Sequence, residues 1–105
     1  MKPAVLLILT LLLPAPAVLA QEQGDPVAGR AFAQAVCARC HAVQPGESAS
    51  PVFEATNFEK VANTPGMSAI ALSVWLQSPH PSMPNLVLAS DDLHNVIAYI
   101  TSLKD

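Results

Sequence analysis

Only two cysteines occur in the 105-residue chain, Cys37 and Cys40, and they stand three positions apart. A bridge between them closes a very small loop, so it ties no distant segments together and removes little entropy from the unfolded chain. That matters because the chain holds one domain at most, and residues 1–20 read as a removable leader. Lys2 gives a weakly positive start, Ala4 to Leu13 is apolar apart from Thr10, and Pro14 and Pro16 end any helix. Val18-Leu19-Ala20 then supplies the small-residue pattern of a signal-peptide cleavage site, with cleavage expected after Ala20. The alternative, a retained membrane anchor, is opposed by the shortness of the apolar run. Residues 21–105 remain as the mature domain. A domain of that size struggles to bury enough apolar surface on its own and usually recruits a disulfide, a metal or a bound group. The cysteine spacing leaves the last two.

Charge narrows the partners. The whole chain has a formal charge of −3, and losing Lys2 with the leader takes it to −4. No basic run exists that could follow a phosphate backbone, so nucleic acid is not an expected partner.

The pattern of apolar residues predicts an all-α domain. Asp25-Pro26 is an N-cap followed by a first-turn proline, and no further proline interrupts the segment up to about Arg39. Pro45-Gly46 marks a loop from Gln44 to Pro51, and Asn57 to Ala62 suits one or two helical turns. Thr64-Pro65 reads as a second helix start, after which Met67, Ile70, Ala71, Val74 and Trp75 recur at helical spacing. Pro79 must end that helix near Ser78. Pro79 to Leu88 is a proline-rich loop. Ser90 is the expected cap of a last helix whose first turn carries Asp91 and Asp92, with Leu93, Val96, Ile97 and Ile100 as its apolar stripe. No strand-like alternation or internal repeat is present.

Cys37-Ala38-Arg39-Cys40-His41 is a Cys-x-x-Cys-His run, the pattern of a c-type haem attachment site. On a helical turn, positions 37, 40 and 41 share one face. Two thiols placed so can bond the two vinyl groups of a porphyrin while the adjacent imidazole reaches the iron. Such attachment happens outside the cytoplasm, in agreement with the leader. Three other readings compete. A thioredoxin-like pair needs strand–helix alternation, which is missing. A zinc site needs a fourth ligand at proper spacing, and only His80 and His94 are spare. A plain buried thiol pair leaves His41 without a role.

On these residues the chain resembles the class I cytochrome c family, especially its short bacterial and periplasmic members. Gly29-Arg30-Ala31-Phe32 leading into the Cys37–Val43 segment looks like that family's N-terminal helix, and Ile97-Ala98-Tyr99-Ile100 looks like its C-terminal helix. The resemblance implies that the two helices cross, with Gly29 and Tyr99 at the crossing and one haem between the helices and loops. It also implies a second axial ligand in a methionine loop, which Pro81-Ser82-Met83-Pro84 matches. Flanking prolines stiffen that loop, which suits a weak thioether ligand. The expected iron ligands are therefore His41 and Met83, with His80 or an open position as alternatives. Met67 reads as core filler, and His94 as solvated. The family's proline carbonyl, which accepts the proximal imidazole proton, corresponds to Pro51, although an ordinary loop proline reads equally well there. Trp75 is a candidate donor to a haem propionate, with a core tryptophan as the alternative.

The resemblance implies a periplasmic one-electron carrier with one covalent haem and iron as its only metal. It is not expected to be an enzyme. Two related functions stay open: an electron-transfer subunit of a larger dehydrogenase or oxidase, and a haem enzyme with an open sixth position. Partners are expected to be redox proteins. The ring of lysines used by the mitochondrial branch is missing, since Lys60 and Lys104 are the only lysines of the mature chain. Docking is expected to use apolar contacts around the haem edge instead, across a small interface.

Overall fold

The computed structural model describes residues 1–3 and 24–105. The body of the expected leader and its cleavage point after Ala20 lie outside the described residues.

Asp25 opens helix α1 (Pro26–Phe32) as the Asp-Pro pair requires: its side chain accepts from the Val27 amide at 2.9 Å, and Pro26 takes the first turn. A single helix to about Arg39 was expected. Instead α1 widens at Ala33–Cys37 into a π-helical turn, in which the Ala38 amide reaches back five residues to the Ala33 carbonyl at 2.9 Å. Such a turn adds one residue to the helical cycle and shifts the phase of the chain beyond it. The cysteine–histidine run begins at the last residue of this turn and takes the shifted phase.

Helix α2 (Phe58–Ala62) is capped by Asn57, whose side chain accepts from the Lys60 amide at 2.8 Å. Helix α3 (Ala69–Gln77) starts later than Thr64-Pro65 suggests. The Thr64 hydroxyl donates to the Lys60 carbonyl at 2.8 Å, so it closes α2 rather than opening α3. Gly66 then takes a φ of +78°, which no right-handed helix accommodates, and Ser68 becomes the cap. The helix stops at Ser78, as Pro79 demands. Helix α4 (Ser90–Ser102) has Asp91 and Asp92 in its first turn as expected, but its cap is Ala89 and Ser90 is its first residue. Among the described residues helices are the only regular secondary structure, and no helix is long and apolar enough to cross a membrane.

The core sits where α1 packs on α4, with α2 and α3 against α4's other sides. Val96, Ile97, Tyr99 and Ile100 of α4 are all buried, joined by Ala33, Val43, Phe58, Ala62 and Leu72. Burying each large aliphatic chain contributes about 1.5–3 kcal/mol. The α1–α4 approach depends on Gly29. A methyl group there would run into the Asn95 backbone and lie 2.9 Å from the Tyr99 Cβ. The expected Gly29–Tyr99 meeting is thus present, and the Asp25 amide adds a bond to the Asn95 side chain at 2.8 Å.

Of the residues at helical spacing, α3 turns Ile70, Val74 and Trp75 outward, whereas Met67 ahead of it packs on the core. It buries Leu72 and partly buries Leu76, while Ile70, Val74 and Trp75 are 79%, 59% and 54% exposed. The helix is apolar around most of its circumference, so periodicity alone did not single out the face that α4 takes.

Candidate functional site

The Cys37 carbonyl accepts from two amides, Cys40 at 3.1 Å and His41 at 2.9 Å. One tight turn therefore carries both thiols and the imidazole, as the spacing predicts. Both cysteines are free and half-buried. Burial, and then the neighbouring Cys40, pushes the Cys37 thiol up from 9.0 to about 11. A thiol held that high is a poor exchange nucleophile, the reverse of what a redox-active Cys-x-x-Cys pair needs.

The His41 ring is fixed from behind. Its Nδ1 lies 2.6 Å from the Thr56 carbonyl oxygen. A carbonyl only accepts, so Nδ1 carries the proton and Nε2 keeps its lone pair for a metal. Of the two readings of Pro51, the acceptor that the resemblance implies is corrected, because the Thr56 carbonyl holds that position. The chain turns between the two, with the Val52 amide on the Cys40 carbonyl (3.1 Å) and the Ala55 amide on the Val52 carbonyl (3.0 Å), which brings residue 56 to the imidazole.

Further bonds lash the segment after His41 to the core. The Ala42 amide donates to the Ser50 hydroxyl at 3.0 Å, and the Phe58 amide donates to the Ala42 carbonyl at 2.9 Å. The Phe58 ring lies 5.5 Å from the His41 ring and 6.4 Å from that of Tyr99, centroid to centroid. The buried Tyr99 hydroxyl donates to the Val43 carbonyl, 56 residues away in sequence. Burial raises the Tyr99 phenol above its ordinary range, which keeps it a donor. Sequence reasoning missed Thr56 and Phe58. The one available signal was Asn57: a helix cap leaves the carbonyl before it outside the helix and free to accept.

A second group of donors lies in the loop after α3. The Met83 amide donates to the His80 carbonyl at 3.3 Å, and Ser82 between them has a φ of +68°. Pro81 at the second position and a positive φ at the third are the type II pattern. His80 and Met83, the competing candidates for the second ligand, open and close the same turn. His80 Nε2 lies 2.7 Å from the Met83 Sδ, and His80 Nδ1 lies 3.1 Å from the Ser78 carbonyl. Trp75 sets its ring against His80 edge-on, 5.7 Å between centroids. Trp75 is therefore no core tryptophan. Met67 packs against the core, as expected of a filler, and His94 is exposed on α4.

Among the described residues no three His, Cys, Asp or Glu side chains gather as a metal cluster. Any metal centre built here needs donors beyond that set, from a sulfur, a second loop or a bound ring. Exposed apolar side chains flank both donor groups in sequence: Val36 beside the cysteines, Val74 and Trp75 before the His80 turn, and Leu86 and Val87 after it. Comparison of the chain with protein-family models, with curated proteins and with solved structures finds no match.

Proposed function

We propose that this protein carries one covalent c-type haem and works as a one-electron carrier in the periplasm. The observation that carries the reading is the turn at Cys37–His41. It presents two half-buried thiols and an imidazole whose Nε2 is freed by the Thr56 carbonyl. That donor set suits a porphyrin with two vinyl groups and a central iron. The Cys37 and Cys40 thiols would each add S–H across a vinyl group, a step that needs no outside oxidant. His41 and Met83 would hold the iron. The all-α chain with Gly29 of α1 against Tyr99 of α4 is consistent with a class I cytochrome c fold.

The bound haem would supply a reversible ferrous–ferric couple. The protein's own part is to hold the ligands in place. The Thr56 carbonyl fixes the tautomer and raises the basicity of His41, and Phe58 packs against its ring. The Met83 thioether is soft and favours ferrous iron, which raises the potential above that of a bis-imidazole pair. The apolar exposure of Ile70, Val74 and Trp75 supports the same reading, because an all-round apolar helix is normally covered on every side.

The test is to express the full chain in a periplasm equipped to attach haem. Its mass is expected to exceed that of the apoprotein by one haem, and the haem is expected to stay with the denatured chain. The ferric protein is expected to show the weak far-red band of methionine–iron ligation. An apoprotein mass after correct export rejects the proposal. Changing both Cys37 and Cys40 to alanine is expected to abolish covalent attachment.

A further inference from the structure

We propose that His80 is a second iron ligand held in reserve, so that one loop can present either a sulfur or a nitrogen to the metal. The inference rests on the haem reading above and adds a residue to it.

Three observations point to His80. The first is its anchor. Nδ1 is within hydrogen-bond reach of the Ser78 carbonyl, which holds the ring by that nitrogen and turns Nε2 toward the Met83 sulfur. Metal-binding histidines characteristically anchor the far nitrogen on a carbonyl or carboxylate in this way. His41 is anchored likewise on Thr56. Among the described contacts, the exposed His94 ring has no such anchor.

The second is position. Nε2 lies 2.7 Å from Sδ of Met83. The two donor atoms occupy neighbouring points in space, so a small pivot of the turn brings either one to a position the other has left.

The third is the turn itself. Pro81 sets its second position, and Ser82 sits in the left-handed region that non-glycine residues seldom occupy. This backbone holds residues 80 and 83 side by side, and the Trp75 edge backs the imidazole. Backbone strain of this kind persists where surroundings impose it, and it clusters at functional sites.

The two donors differ in chemistry. Thioether sulfur prefers ferrous iron, whereas imidazole binds both oxidation states well. Whenever the sulfur is lost, by substitution or by oxidation to the sulfoxide by a peroxide, His80 keeps the iron six-coordinate and lowers the potential.

The experiment compares four haem-loaded proteins: the natural chain, Met83→Ala, His80→Ala and the double variant. Each is weighed for covalent haem, then examined by absorption and electron paramagnetic resonance, with carbon monoxide added to the ferrous form. In Met83→Ala the far-red methionine band is expected to vanish while the ferric iron stays low-spin with a bis-imidazole signature. In the double variant the iron is expected to turn high-spin and bind carbon monoxide readily. His80→Ala alone is expected to keep the methionine band. A haem-bearing Met83→Ala protein that is high-spin and binds carbon monoxide as readily as the double variant overturns the proposal but leaves the haem reading intact. A natural protein whose bis-imidazole signature disappears in His80→Ala makes His80 the resident ligand, which overturns the reserve role. Apoprotein masses throughout overturn the haem reading and this inference together.

Discussion

The two donor groups are held in different ways. The cysteine–histidine turn is tied to distant chain: Thr56 to the imidazole, Ser50 to the Ala42 amide, and Tyr99 of α4 to the Val43 carbonyl. The His80–Met83 turn is held by bonds that span no more than three residues, and most of the loop around it is exposed. Long-range bonds into a core open only when the domain does, while local ones open at small cost. The first group is therefore the more firmly held, and under the haem proposal it suits a permanent ligand while the second suits an exchangeable one.

The contrast breaks most sharply at Tyr99. Tyr99→Ala is expected to destabilise the fold by about 3–5 kcal/mol, the range for removing a large buried aromatic. Tyr99→Phe keeps the ring and loses the bond to the Val43 carbonyl, at a cost of about 1–3 kcal/mol for an acceptor left buried. Denaturant unfolding followed by circular dichroism separates the two. Equal effects would mean that the hydroxyl, and with it the tie behind His41, contributes nearly all of the stabilisation.

Gly29→Ala comes next. Its methyl group must push α1 off the Asn95 backbone, and overpacking of this kind costs about 1–3 kcal/mol, occasionally more. The thermal midpoint is expected to fall accordingly. A loss near zero would show that α1 slides freely along α4, contrary to a rigid first group.

Alkali probes the same region. The folded haem-free chain holds the Cys37 proton up to about pH 11, against 9.0 for an ordinary thiol. The unfolded chain gives up that proton first, so the contribution of this group is intact below about pH 9 and is lost as pH rises toward 11. Unfolding midpoints across that window are expected to fall, and a Cys37→Ala chain is expected to fall less.

The smallest effect belongs to the other loop. Ser82→Gly removes the left-handed penalty but frees the unfolded chain, so the net gain is expected to be within about 1 kcal/mol. Hydrogen exchange at the Met83 amide is the sharper readout. Slower exchange in Ser82→Gly, with unchanged exchange in α4, would show the turn to be an independent unit. A global change would erase the distinction between the two regions.

Local chemistry made several elements readable in advance. Asp25-Pro26 could only open a helix, Pro79 could only end one, and the spacing of Cys37, Cys40 and His41 already put them on one turn. The starts of α3 and α4 were misplaced because Thr64 and Ser90 have the right side chains for caps. Whether a cap forms depends on backbone that only the neighbouring turn sets, as Gly66 and Ala89 do here. The buried face of α3 was unreadable for a related reason: a helix apolar on several sides carries no signal of which side its neighbour will take.

By itself the sequence determined the helical class and the donor turn at Cys37–His41, each from spacing within a few residues, whereas the Gly29–Tyr99 meeting was what the family resemblance implied and the packing of α1 on α4 shows. Only the tertiary structure decided that Thr56 rather than Pro51 holds the His41 proton and that Phe58 backs the ring. Those contacts depend on where loops return after leaving a helix. That path is set by the sum of many weak bonds across the domain, and no short stretch of sequence contains it.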